Sequence, residues 1–216
     1  MSRVRSRPLT AAVVLVVLVG LGVFGVGVWQ MVGAEHPVAE TGERTAVDSL
    51  STRIDDAPAS PPVGLEIPAL RFEAPIEPLS IGSDEVLDPP TAGDAFWLSD
   101  YGLPGVGTDN TVYLVGHTSS TGDAVFDPLV DLDRQQPRLQ PGDEIVVRTE
   151  EGAVLYEVLA TERQDKTAIT DLETVWRNEP GRLVIITCFF AASRTEAPDN
   201  LIVYARQRSA PQASAG

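Results

Sequence analysis

The chain has 216 residues, with 16 basic and 31 acidic side chains, and therefore a formal net charge of −15 at pH 7. This length favours one folded domain with shorter appended segments. A chain this acidic repels the phosphate backbone of nucleic acids, so nucleic-acid binding is not expected.

The N-terminal segment has the composition of a membrane anchor. Three arginines in residues 1–8 precede an uncharged run at 9–32 that is rich in Val, Leu and Gly. As a helix, this run spans roughly 36 Å, enough to cross a hydrocarbon core of about 30 Å. The preceding arginines predict a cytoplasmic N-terminus at 1–8 and an extracytoplasmic location for everything after the anchor. A cleaved signal peptide is the alternative, but its apolar region is typically only about 7–15 residues.

The segments that flank the predicted domain are low in apolar content. Residues 33–62 are predicted to be a disordered linker, because their prolines, small residues and scattered charges cannot bury enough apolar surface to offset the entropy of ordering. The folded domain is predicted at 63–206, and a disordered tail rich in small residues is predicted at 207–216.

Within the domain, short runs of β-branched and aromatic residues alternate with Gly- and Pro-containing turns. The predicted strands are Val63–Ile67, an extended piece Leu70–Leu79 broken by two prolines, Ala95–Leu98, Thr111–Val115, Glu144–Thr149, Ala153–Thr161, Arg182–Cys188 and Leu201–Ala205. Short helical turns are predicted at 126–132 and 170–177. About eight strands with little helix predict an all-β fold, a closed eight-stranded β-barrel with short helices. The lack of long helices between the strands argues against a doubly wound α/β fold.

Cys188 is the only cysteine of the chain, and it ends the predicted strand that begins at Arg182. Outside the cytoplasm, thiols normally occur in pairs as disulfides, so an odd cysteine indicates either a reactive thiol or an intermolecular bridge. The structural alternative is a buried cysteine that packs as a small apolar side chain.

His117 is the only histidine of the predicted domain, since His36 lies in the linker. It follows the strand Thr111–Val115, and a parallel arrangement of this strand with the Cys188 strand would bring both residues to one rim of the barrel. A neighbouring imidazolium favours a thiolate and can protonate a leaving amine. A solvated turn histidine is the alternative. One cysteine and one histidine cannot form a structural zinc site.

Several motifs resemble those of the sortases, a family of membrane-anchored cysteine transpeptidases of Gram-positive bacteria. In chain order the matching pieces are Leu65-Glu66-Ile67-Pro68, Pro104-Gly105-Val106-Gly107, Val115-Gly116-His117, Leu139–Ile145 with its Pro-Gly-Asp, and Ile186-Thr187-Cys188. Together they extend over roughly 63–206 with spacing similar to that of the family. Their details are most similar to the actinobacterial class E and class F enzymes, with class F favoured.

The resemblance implies an eight-stranded sortase-type barrel with a Cys–His–Arg site. Cys188 would attack the threonine carbonyl of a Leu-Pro-X-Thr-Gly-like sorting signal, and His117 would act as acid and base. The implied partners are secreted proteins that carry this signal, a peptidoglycan or pilin amine that accepts the acyl group, and the membrane. The resemblance implies no cofactor, although some relatives bind calcium.

The arginine is the point at which this chain departs from the family. Sortases carry it at the start of the final strand, where this chain has Pro198-Asp199-Asn200. The nearest arginine is Arg194 in the preceding loop, whereas Arg206 is predicted at the far end of the strand. We therefore predict that Arg194 donates hydrogen bonds to the substrate carbonyl or oxyanion. The alternative is a solvated Arg194 in a weakly active or inactive barrel that binds peptides.

Other side chains near the predicted site have structural interpretations. Trp97 and Phe126 are predicted to pack in the core rather than line a peptide groove, and Phe189 and Phe190 to wall the site. Acidic residues after His117, such as Asp123 and Asp127, are predicted to cap a loop. A cysteine peptidase or L,D-transpeptidase of another family is disfavoured, because the residues around Cys188 differ from those families.

Overall fold

The computed structural model describes residues 57–81 and 87–208. Ten strands occur in this part of the chain: β1 (Pro62–Ile67), β2 (Phe72–Leu79), β3 (Ala95–Leu98), β4 (Thr111–Val115), β5 (Val130–Asp131), β6 (Gln136–Pro137), β7 (Glu144–Thr149), β8 (Gly152–Asp165), β9 (Arg182–Phe189) and β10 (Asp199–Gln207). One short helix, α1 (Glu173–Trp176), and three 3-10 turns, Pro68–Leu70, Asp127–Leu129 and Ile169–Asp171, complete the elements of the described residues.

Eight of the strands close into a barrel in the order β1-β2-β3-β4-β9-β10-β8-β7, while β5 and β6 form a separate two-stranded sheet. The predicted all-β closed barrel is therefore confirmed. Two of its strand pairs, β2 with β3 and β4 with β9, are parallel. The remaining neighbours in the barrel are antiparallel.

The proline-containing strand β2 is continuous, although two prolines were expected to break it. Its antiparallel pairing with β1 ends at Gly64 opposite Pro75, and its parallel pairing with β3 begins at Ile76 opposite Ala95. Pro75 thus lies where the strand changes partners, a position that tolerates the missing N–H of proline.

The packed domain begins earlier than the sequence predicts. Ala57 is only 3 % exposed, Pro58 forms a parallel bridge with Val106, and β1 starts at Pro62. These residues fall in the stretch assigned to the linker, because Pro- and Ala-rich sequence gives no local sign of a distant partner strand. The remainder of the predicted linker, the predicted anchor at 9–32 and the tail beyond Arg208 lie outside the described residues.

Two apolar clusters lie on opposite faces of the barrel wall. Along β9, Leu183, Ile185 and Phe189 contribute to the larger interior cluster, whereas Val184 and Ile186 contribute to an outer cluster. This is the alternation expected of a strand with two apolar faces. The outer cluster is covered by Val175 of α1 and flanked by partly buried residues, among them Ile81, Leu87 and Ile169.

No helix among residues 57–81 and 87–208 is long and apolar enough to cross a bilayer.

Candidate active site at the end of β9

The predicted parallel arrangement of the histidine and cysteine strands is present. β4 pairs with β9 from Thr111 opposite Arg182 to Val115 opposite Ile186. His117 lies two residues beyond Val115, and Cys188 lies two residues beyond Ile186. Because neighbouring strands are only about 4.8 Å apart, the two chain segments carry these residues to the same end of the barrel.

The turn that leads to His117 is fixed to β9 by hydrogen bonds. The Thr187 hydroxyl donates to the Gly116 carbonyl at 2.9 Å and lies 2.6 Å from the Thr118 hydroxyl. Gly116 has no space for a side chain, because a Cβ would lie 2.7 Å from the ring of Phe126. The sequence Gly-His-Thr therefore suits a turn that packs closely on the core while remaining tied to the strand of Cys188.

Cys188 is half-buried and lies within the β9–β10 ladder, opposite Asn200. By strand alternation its side chain lies on the outer face of the barrel with Val184 and Ile186. The one hydrogen bond of its thiol among the described residues comes from the ammonium of Lys166, whose Nζ lies 3.4 Å from Sγ. Cys188 is a free thiol.

His117 is held by a different segment of the chain. Its Nε2 lies 2.8 Å from the carbonyl oxygen of Pro89 and 3.9 Å from a carboxylate oxygen of Asp88. A carbonyl oxygen only accepts, so Nε2 carries the proton in this arrangement. No hydrogen bond joins His117 to Cys188 within the described part of the chain. His117 and Phe190 both line a cavity of about 360 Å³.

Arg194 has a left-handed backbone conformation, with a φ of 58°. Its guanidinium pairs with Asp133 at 2.5 Å and donates to the carbonyl of Ser120 at 3.4 Å, and Ser120 lines the cavity. In the described residues Arg194 makes no hydrogen bond to Cys188 or His117. Arg206, in contrast, lies opposite Arg182 in the β9–β10 ladder, at the other end of β9, as predicted.

A second arginine lies close to the cysteine strand. The guanidinium of Arg163 stacks over the ring of Phe189 at 4.3 Å and forms an ion pair with Asp199. The side chain of Gln135, which accepts from Arg163 at 3.5 Å, also donates to the carbonyl of Phe190 at 3.3 Å. Arg163 and Gln135 therefore fix the backbone that directly follows Cys188.

The structural interpretations of the surrounding side chains are confirmed for Trp97, Phe126, Asp123 and Asp127. The prediction that Phe189 walls the site is wrong, because strand alternation turns its fully buried ring into the interior cluster, away from the outward-facing Cys188. Trp97 and Phe126 are buried in the interior cluster, and the Trp97 indole donates to the Gly102 carbonyl at 2.8 Å. The Asp127 carboxylate accepts hydrogen bonds from Ser119 and from the backbone N–H of Ala124, which closes the loop after His117. Hydrogen bonds from the Ser119 and Thr121 side chains lower the pKa of Asp123.

The structure also shows a residue that the sequence analysis missed. Lys166 is the only lysine among the 216 residues, and it contacts the only cysteine. Its rarity was a signal that could have been used, but its position at the end of the long strand β8 depends on tertiary structure. No group of three or more His, Cys, Asp or Glu side chains in residues 57–81 and 87–208 is arranged to hold a metal ion.

Comparison with solved structures shows what this architecture resembles. Sortase A of Corynebacterium diphtheriae matches with a TM-score of 0.50 and 19 % identity, over 81 % of this chain and 74 % of that one. Its lid mutant matches at the same TM-score and identity, over 82 % and 87 %. SortaseC1 of Streptococcus suis matches with a TM-score of 0.50 and 16 % identity, over 84 % and 90 %. At these identities the matches show the fold alone.

The sequence comparisons give the family. No curated protein matches the chain significantly. The family model described as the sortase domain, however, matches residues 65–208, well over half of the chain and the barrel from the middle of β1 onwards. A barrel of this topology, with a histidine and a cysteine at the ends of adjacent parallel strands, agrees with that match, and the chain therefore belongs to the sortase family of cysteine transpeptidases that anchor proteins to the cell wall.

Proposed function

We propose that this sortase is a membrane-anchored transpeptidase of the class F type that cleaves a C-terminal Leu-Pro-X-Thr-Gly-like sorting signal. The observation that carries the proposal is the parallel pairing of β4 with β9, which brings the only histidine of the barrel and the only cysteine of the chain to one end. The class assignment rests on the sequence motifs around these residues. The acceptor is proposed to be an amine of the cell wall or of a pilin.

The reaction begins when His117 takes up the proton of the Cys188 thiol and the resulting thiolate attacks the threonine carbonyl of the signal. The resulting oxyanion needs hydrogen-bond donors, and we assign this role to backbone N–H groups that follow the thiol. Collapse breaks the Thr–Gly bond, and His117 gives a proton to the leaving glycine amine. The acceptor amine then attacks the thioester, loses its proton to His117 and releases the Cys188 thiolate.

In this cycle, the bond between His117 Nε2 and the Pro89 carbonyl must open, because Nε2 carries the proton that the leaving amine requires. The substrate would take the place of this carbonyl. Partly buried apolar residues packed against the outer cluster, to which Ile186 of β9 belongs, offer a surface for the leucine and proline of the signal: Ile81, Leu87 and Ile169.

Arg194 is proposed as the third residue of the site. It already donates to the carbonyl of Ser120, a residue that lines the cavity, and its partner Asp133 is highly exposed, so the pair costs little to separate. Rotation of the guanidinium towards Cys188 would allow it to donate to the substrate carbonyl.

The location is proposed from the sequence. An uncharged run at 9–32 preceded by three arginines supports a single membrane span with the N-terminus inside and the barrel outside. This places the thiol where secreted proteins and cell-wall amines meet.

Labelling with a reactive analogue of the signal tests the proposal. A Leu-Pro-X-Thr peptide with a thiol-reactive group in place of the scissile bond should form one adduct with the full chain, and Cys188→Ala should form none. Excess unmodified signal peptide should slow the labelling, and a scrambled peptide with the same reactive group should label far more slowly. Equal labelling by the scrambled peptide would contradict the proposal. Protection of the thiol without any cleavage of the peptide would instead favour a barrel that only binds peptides.

A further inference from the structure

The ammonium of Lys166 lies 3.4 Å from the sulfur of Cys188. The chain contains one lysine and one cysteine, so this contact joins two residues that each occur once in 216 positions. The imidazole of His117, the cation expected beside the thiol, instead donates from Nε2 to the Pro89 carbonyl.

The backbone holds Lys166 in this position. It directly follows β8, and its N–H donates to the Pro198 carbonyl at 2.9 Å, immediately before β10. At the end of the β8–β10 ladder, Asp165 lies opposite Asp199. In the neighbouring β9–β10 ladder, Asp199 lies opposite Phe189, which is next to the thiol in the chain. Three adjacent strands therefore set the distance between the lysine backbone and the cysteine.

The carboxylates near Lys166 have other partners. The Asp165 carboxylate accepts from the backbone N–H and the hydroxyl of Thr167, and these hydrogen bonds lower its pKa. The Asp199 carboxylate is paired with Arg163. Within the described part of the chain, Lys166 forms no ion pair with a carboxylate, and the polar contact of its ammonium is the sulfur.

We propose that Lys166 is a catalytic residue that stabilises the thiolate of Cys188 and so activates the nucleophile. This inference rests on the proposed function, since it adds a role to the same site. An ammonium within hydrogen-bond distance favours the charged form of the sulfur through Coulomb attraction and a charge-assisted hydrogen bond. The proton that the thiol loses passes to His117, and the resulting imidazolium is free to give it to the leaving amine, because the Lys166 ammonium serves as the counter-ion of the thiolate.

Alkylation of Cys188 by iodoacetamide tests this role, because the reagent is uncharged and needs no sorting signal. Rates are measured by intact mass on the full chain at pH 7 and low salt, for the wild type, Lys166→Met and Lys166→Arg. Arg206→Met is the matched control, because it removes one positive charge at the opposite end of the β9–β10 ladder. Melting temperatures establish that each variant is folded.

Lys166→Met should react about tenfold more slowly than the wild type, which is the size of effect that a contact between unit charges supports in a largely solvated site. The alkylation rate of Lys166→Arg should stay within about threefold of the wild-type rate, and that of Arg206→Met should equal the wild-type rate. The difference between the wild type and Lys166→Met should shrink as salt is raised. An alkylation rate of Lys166→Met equal to that of the wild type would overturn the role of Lys166.

The two hypotheses fail separately. If Lys166→Met alkylates at the wild-type rate while Cys188→Ala abolishes cleavage of a sorting peptide, the lysine has no such role and the proposed function stands. If the lysine effect is present but the full chain cleaves no sorting peptide, the role of Lys166 is supported and the proposed function is not.

Discussion

The two ends of strand β9 differ in how completely their polar groups are satisfied. At the first end, the side chain of Arg182 is 6 % exposed and donates to three backbone carbonyls of the segment around α1, those of Thr174, Val175 and Arg177. At the other end, Cys188 is half-buried and has one long contact to Lys166, and His117 has one carbonyl partner.

This difference separates stability from reactivity within one strand ladder. Buried charged groups are stabilising only when their hydrogen bonds are complete, and the Arg182 end meets this condition. The Cys188 end leaves the proposed catalytic atoms partly accessible, and the Pro89 carbonyl beside His117 is a partner that a substrate could replace. We therefore expect substitutions at the first end to change stability, and substitutions at the second to change turnover.

The largest effect on stability is expected for Arg182→Met. The variant removes a buried charged side chain and leaves the carbonyls of Thr174, Val175 and Arg177 without a charged donor, and it should lower the free energy of unfolding by about 3 kcal/mol. Urea denaturation measures this loss. Arg206→Met is the control, because Arg206 is exposed and lies opposite Arg182 in the β9–β10 ladder. A loss below about 1 kcal/mol would show that the Arg182 network is not a major source of stability.

Arg194→Ala should change turnover rather than stability. If the guanidinium assists the oxyanion, turnover should fall by about a hundredfold with little change in melting temperature. Arg134→Ala is a suitable control, because Arg134 is another loop arginine in an ion pair, with Asp131, and 74 % of its side chain is exposed. Turnover near that of the wild type would remove Arg194 from the site.

Thr187→Val should lower both stability and turnover modestly. The variant loses the hydrogen bond that the Thr187 hydroxyl donates to the Gly116 carbonyl and the one that it accepts from the Thr118 hydroxyl, which together tie the turn of His117 to the strand of Cys188. We expect a loss of about 1–2 kcal/mol in stability and about a tenfold decrease in kcat, with a smaller change in KM.

The control is Thr149→Val, which removes a similar hydrogen bond from a buried threonine to the Gly152 carbonyl in the β7–β8 hairpin. It should lose comparable stability without a change in kcat. Equal effects of the two variants on kcat would show that Thr187 does not position the site.

The sequence predicts the barrel well, because its strands carry strong β-branched and aromatic patterns that persist in any context. Where the prediction differs, long-range pairing decides. Pro75 is compatible with β2 because the strand changes partners there, and Ala57 is buried because Pro58 meets Val106. Neither pairing leaves a local signal.

The residues of the candidate site also differ in how far the sequence alone predicts them. Cys188 and His117 are conspicuous as single residues of their kind in the domain, and the ends of their strands can be recognised. Lys166 is as rare as Cys188, but β8 continues four residues beyond its predicted end at Thr161, to Asp165. Its contact with the thiol follows from the β8–β10–β9 ladder, which a pattern of local propensities does not specify.

Trapping of the acyl-enzyme tests the central claim, that Cys188 is the nucleophile of a transpeptidase. The full chain is incubated with a Leu-Pro-X-Thr-Gly peptide without an acceptor amine, and its intact mass is measured. We predict an adduct with the mass of the acyl fragment, which hydroxylamine removes and which Cys188→Ala does not form. Cleavage of the peptide by Cys188→Ala at the wild-type rate would contradict the claim.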